Sequence, residues 1–189
     1  MIDLDPTELA LVREDLAYHQ ARVLLLVRAV SATKGNANKL DGLTKLAKLD
    51  FLLRYTALAP QVLDAVDPHD RRLHLSPGEL VAPTDVEAPM IRYKYGPWDD
   101  RYYAILGALI GRGLLRYTRA RKGSVAVTTT APGGRLADQL AASPRWATVA
   151  ARSAVIAEAS AGMSGSALKD LIYQRLGGLM DRPHREVIR

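Results

Sequence analysis

The stretch KLDGLTKLAKLDFLLRY, residues 39–55, constrains the fold more than any other, because it is an apolar helix pattern with two charges inside it. At 100° per residue, Leu40, Leu43, Leu46, Ala47, Phe51 and Leu53 share one broad face, and Asp41, Thr44, Lys45 and Lys48 share the opposite one. Asp50 and Arg54 fall inside the apolar face. They stand four residues apart with the acid first, the favourable order for an intrahelical ion pair, so they are expected to form a structural pin that brings its own charge partner into the core. The competing use of the pair is a contact to a partner chain. A face this broad needs more than one neighbour to cover it, which places the helix at the centre of a mostly helical domain.

The chain around it can supply those neighbours. With 189 residues, 48% of them apolar, it can bury one full core. Cysteine is absent, which removes disulfides, thiolate chemistry and Cys-ligated zinc and suits a reducing cytoplasm, the expected location. The opening MIDLDPTELA is acidic and has no basic region followed by an apolar run, so neither a signal peptide nor membrane attachment is expected. Charge is divided unevenly. Residues 1–90 carry 10 Lys or Arg against 13 Asp or Glu, and residues 91–189 carry 16 against 7. The second half is therefore the half suited to a polyanion or an acidic protein.

In order, residues 6–31 read as a helix with Leu16, Val23, Leu24, Val27 and Val30 as its stripe, and 31–38 as a loop that lacks the Gly-Lys-Ser/Thr ending of a phosphate cradle. The central helix is expected to end near Ala59, ahead of Pro60. Residues 67–90 form a long proline-bearing stretch. IRYKYGPW, 91–98, reads as a short strand closed by a Gly96-Pro97 turn. A helix over 99–112 follows, with Tyr102, Ile105, Leu106 and Leu109 on one side and Ala104, Gly107, Ala108 and Gly111 on the other. That small side is expected either to pack against a neighbour in the same chain or to receive a partner. Residues 114–119 and 124–129 alternate as a β-hairpin. Helices are expected over 134–142, from Ser143-Pro144 to about 160, and over 166–176, and 182–189 should fray.

Three helices followed by a hairpin is the order of a winged helix. The expected class is thus mainly α, a winged-helix-like domain with added N- and C-terminal helices. Its division is 1–130 for that domain, including the loop 67–90, and 131–189 for a helical region packed on it.

Catalytic chemistry finds little support. His19, His69, His74 and His184 are scattered, and no nucleophile, base and acid arrangement or His-Glu-x-x-His helix is present. Asp67, His69, Asp70 and His74 have a spacing compatible with a metal but nothing to fix ligand geometry, and solvated loop residues are the simpler reading. Asp99-Asp100 is the tempting acidic pair, explained by the dipole at a helix start. No enzyme activity, cofactor or metal is expected.

The ordered set LDGLTKLAKLDFLLRY at 40–55, IRYKYGPWDDRYY at 91–103, the GRGLL hairpin and ALKDLIYQRL at 167–176 resembles the middle component of bacterial three-component ABC ATPase conflict systems, the group that includes the small subunit of Lamassu-type anti-phage defence. The resemblance spans roughly residues 20–178. It implies a non-catalytic, kleisin-like winged-helix adaptor that joins an SMC-like or Rad50-like ATPase to an effector, often a nuclease. It lends no active-site residues.

The alternative is a freestanding winged-helix transcription regulator or antitoxin. Direct base readout needs Arg, Lys, Asn or Gln on the recognition helix, whereas the side Ala104, Gly107, Ala108 and Gly111 is flanked only by Arg101 and Arg112. That surface favours a protein partner. Arg116, Arg119, Arg121 and Lys122 cluster at the hairpin and are the candidate contacts to the backbone of double-stranded DNA.

Overall fold

A computed structural model describes residues 15–77, 79, 89–120 and 125–188, and Asp15 caps the first described helix by accepting the N–H groups of Ala17 and Tyr18 on its carboxylate. The helices are α1 (Leu16–Ala32), α2 (Gly42–Arg54), the short α3 (Ala59–Val62), α4 (Tyr102–Gly111), α5 (Ala131–Ala142), α6 (Ala147–Ala159), α7 (Gly165–Arg175) and α8 (Gly177–Met180). The strands are β1 (Leu40–Asp41), β2 (Ile91–Tyr93), β3 (Gly96–Trp98), β4 (Leu115–Arg119) and β5 (Val125–Thr129). Among the described residues no helix is long and apolar enough to cross a membrane.

Two antiparallel sheets organise the strands. One has the order β1-β5-β4, with Leu40 opposite Val127 and Tyr117 also opposite Val127 from the other side. The other is the hairpin β2-β3, with Ile91 opposite Trp98. Helix α1 packs on α6, α5 and α4, and α2 packs on α7 and α6. The C-terminal helices therefore contribute Val155, Ile156, Leu168 and Ile172 to the same core as Val23, Leu26, Leu46 and Phe51.

Several expectations need correction. The central helix starts at Gly42 because Leu40 and Asp41 pair with β5, and it ends at Arg54, followed by a tight turn over Thr56–Leu58. Lys45 and Lys48, expected on an exposed face, are 3% and 2% accessible, because α7 and the β2-β3 hairpin cover that side. In the β2-β3 hairpin the reversal falls at Lys94 and Tyr95, and Gly96-Pro97 lies in β3. Helix α5 begins three residues before Gly134, with Pro132 in its first turn and the Thr130 hydroxyl accepting from the Gly133 N–H. Ser143 ends α5 and Pro144 lies in the turn before α6. The tail, expected to fray, is docked as far as residue 188. Ile188 is fully buried, its N–H donates to the Met90 carbonyl, its own carbonyl accepts from Tyr55 Oη at 2.7 Å, and Val187 bridges to Ile91. Two unpaired backbone edges, those of 90–92 and 185–188, satisfy each other.

Candidate functional site

Asp50 and Arg54 meet at 2.7 Å, with side-chain exposures of 0% and 3%. They are the middle of a larger buried network. Arg22, from α1, donates to Asp50 Oδ1 through Nε at 2.8 Å and to Oδ2 at 3.2 Å. Tyr102, the first residue of α4, donates its hydroxyl to Asp50 Oδ2 at 2.7 Å. Arg54 reaches on to Asp99 at 2.7 Å, and Asp99 accepts a bidentate pair from Arg101 at 2.9 and 2.8 Å. His19 closes the chain, with Nδ1 beside Arg22 and Nε2 beside Arg101, each at 2.6 Å. The two acids expected to serve only the helix dipole thus have other duties. Asp99 belongs to the network, and Asp100 pairs with Arg185 of the tail at 2.9 Å.

The network sets its own protonation. Burial opposes ionisation of Asp50, but the adjacent Arg22 and Arg54 more than offset it and hold the carboxyl well below the usual carboxylate range. Asp99 is held low against its burial by the Arg101 hydrogen bonds and the charge of Arg54. Burial and the Asp50 charge push the Tyr102 hydroxyl well up, so it remains a donor. Helices α1, α2 and α4 are thereby tied together at one end by fixed charges.

Beside this network lies a groove of about 350 Å³ between α2, the β2-β3 hairpin, the start of α4 and the tail. Tyr93, Tyr95, Trp98 and Tyr103 line it together with Lys48, Asp100 and Arg185. The rings form a connected row: His184 to Tyr93 at 5.1 Å, Tyr93 to Trp98 at 5.9 Å, and Trp98 to Tyr103 at 6.2 Å between centroids. Gly96 has φ +100°, a conformation that favours glycine, and a Cβ there would stand 3.2 Å from Lys48 Nζ, so the ammonium would have to give by a few tenths of an ångström. Burial, assisted by the like charge of Lys169, brings Lys48 down to about 8.

The remaining candidates lie apart from this centre. Ala104, Gly107 and Gly111 are exposed on α4 and Ala108 is half-buried, so among the described residues most of the small side is not packed within its own chain. Among the described residues, a Cβ at Gly107 or Gly111 would meet nothing within 4 Å beyond its own helix. The flanking cations are engaged, Arg101 in the network and Arg112 by donating to Gln20 Oε1 at 2.9 Å. Arg116 and Arg119 are exposed on the edge strand β4, while Arg121 and Lys122 lie outside the described residues. Asp67 and Asp70 turn their carboxylates to the backbone N–H groups of His69 and Arg72. Among the described residues, no three His, Asp or Glu side chains come together as a metal site.

Sequence reasoning missed Arg22 and the groove, and it did not place Tyr102, Asp99 and Arg101 in one network with Asp50. A signal existed for the first: His19 and Arg22 each sit four residues before a buried apolar residue of α1, Val23 and Leu26, the same breach of pattern that marks Asp50. Neither a family model, nor a characterised protein, nor a solved structure matches this chain.

Proposed function

We propose that this chain is a non-catalytic winged-helix adaptor that joins an SMC-like ABC ATPase to an effector protein in a bacterial anti-phage complex. The order α1, β1, α2, α4, β4, β5 and the sheet order β1-β5-β4 support the winged-helix reading, with residues 55–101 inserted before the helix in the recognition position. The observation that carries the adaptor reading is the surface of α4. It offers Ala104, Gly107 and Gly111 to solvent, and the cations at its ends are committed to Asp99, His19 and Gln20. A helix that reads bases needs free polar side chains directed outward, whereas small residues allow another helix to approach closely.

The basic hairpin supports an added contact to the DNA backbone. The exposed Arg116 and Arg119 precede Arg121 and Lys122 in sequence, and phosphate contacts of this kind are independent of base sequence and strongly salt-dependent.

The test is co-expression with the ATPase and effector encoded beside it. A stoichiometric complex is expected on gel filtration, and Gly107→Arg with Gly111→Arg should dissociate it while the chain stays folded. Retention of the complex by that variant, or selection of a preferred duplex sequence by the chain alone, overturns the reading. Replacing Arg116, Arg119, Arg121 and Lys122 with Ala should flatten the salt dependence of DNA binding, by about 0.9 in log–log slope for each phosphate that is no longer neutralised.

A further inference from the structure

Two lysines of α2 are buried, and their surroundings differ. Lys45 gives its ammonium to Asn36 Oδ1 at 3.0 Å. Lys48 has a single hydrogen-bond acceptor among the described residues, the Pro97 carbonyl at 3.4 Å, and no described carboxylate forms an ion pair with it. The residue is 2% exposed, and the charge that acts on it is the like charge of Lys169. A buried ammonium without an anion is costly to maintain. Its position gives the cost a use, because Lys48, Gly96 and Pro97 together form part of the groove wall.

The other features of the groove define a ligand class. The charges of Asp100 and Arg185 offset one another across 2.9 Å, so among the described residues of the groove Lys48 is the uncompensated charge and a single negative charge balances it. One ammonium matches the single charge of a carboxylate, whereas a phosphate monoester brings a charge of about −2 that one lysine leaves unbalanced. The row Tyr93, Trp98 and Tyr103 supplies flat apolar walls, and Tyr103 keeps 67% of its surface exposed. A volume of about 350 Å³ lies at the lower end of small-molecule sites. We propose that this groove binds a small aromatic carboxylic acid, with its carboxylate on Lys48 Nζ and its ring against Trp98 and Tyr103. The proposal does not rest on the adaptor reading, although Tyr103 stands one helical turn before Gly107 on the same exposed side of α4.

The experiment is titration of the ¹⁵N-labelled full chain with benzoate and phenylacetate, and with benzamide and phenylacetamide as uncharged matches, following the Trp98 indole N–H. At least one acid should give a saturable shift and its amide none. Lys48→Met, close in length and without the charge, should weaken acid binding about ten- to a hundredfold, the worth of a hydrogen bond to a charged group. Tyr103→Ala, at a mostly exposed position that leaves the core intact, should weaken it severalfold, and this variant carries the test if Lys48→Met fails to fold. Equal binding of acids and amides overturns the proposal. So does undiminished acid affinity in either variant, or the absence of saturable binding by both acids at millimolar concentration.

Discussion

Asp50→Ala tests the idea that α1, α2 and α4 are held by charge. The carboxylate accepts five hydrogen bonds, two each from Arg22 and Arg54 and one from Tyr102. Removing it leaves Arg22 and Arg54 facing one another in the core. Arg54 retains Asp99, but Arg22 loses its only described carboxylate. Stranding a buried charge in this way costs about 3–5 kcal/mol. At about 2–4 °C per kcal/mol for a chain of this size, the melting temperature should fall by roughly 6–20 °C. The assay is urea unfolding at pH 7 of Asp50→Ala, Arg22→Ala and the double variant, in which the two losses should be strongly non-additive. Replacing Asp50 and Arg54 together should not be neutral, since Arg22 would still be unpaired; the set that can approach neutrality is Arg22→Met, Asp50→Leu and Arg54→Met. The pH dependence follows in sign. The folded carboxyl lies below its ordinary value, so its stabilisation is complete above about pH 4 and is lost as pH falls through the acid range, more steeply in wild type than in Asp50→Asn. Single losses below about 1 kcal/mol that simply add would refute the network as a source of stability.

Three further outcomes are expected. Gly107→Ala and Gly111→Ala, on the open side of α4, should each raise stability by about 0.5–1 kcal/mol, whereas Gly133→Ala would place a Cβ 1.8 Å from the Leu114 carbonyl oxygen and should cost about 1–3 kcal/mol or more; thermal melts of the three variants separate these cases. Deleting residues 182–189 uncovers Met90 and leaves the Tyr55 hydroxyl without the Ile188 carbonyl, at a cost of about 3 kcal/mol, and an unchanged urea midpoint would mean that the docked tail contributes nothing. Lys48 is brought down to about 8 from the ordinary 10.4 or so, so its burial disfavours folding while it is charged. Lys48→Met should therefore stabilise by up to about 3 kcal/mol at pH 7, and the advantage should shrink as pH rises from about 8 towards 10.4, because over that window the unfolded chain holds a proton that the folded chain has released. A constant difference across that range would argue against a charged, buried Lys48.

What the sequence by itself determined is what short-range periodicity can encode. The spacing of Asp50 and Arg54 within an apolar face already paired them, the alternation on either side of residues 120–124 marked β4 and β5, and the buried side of α4 was legible in Tyr102, Ile105, Leu106 and Leu109. The same periodicity assigned Lys45 and Lys48 to water, since a helical wheel records which residues share a side and not what will cover that side. Helix α7 and the β2-β3 hairpin arrive there from more than 40 residues away in the chain, with Gly165 so close that a Cβ would stand 2.9 Å from the Lys45 backbone nitrogen. The network was half legible for a related reason: Asp50 and Arg54 lie one helical turn apart, but Arg22, Asp99 and Tyr102 come from separate elements and meet them only when the core closes. The groove and the docked tail belong wholly to the tertiary structure. Both are made where a hairpin edge, a helix start and the segment at 185–188 converge, and no local pattern reports which backbone edges will find each other.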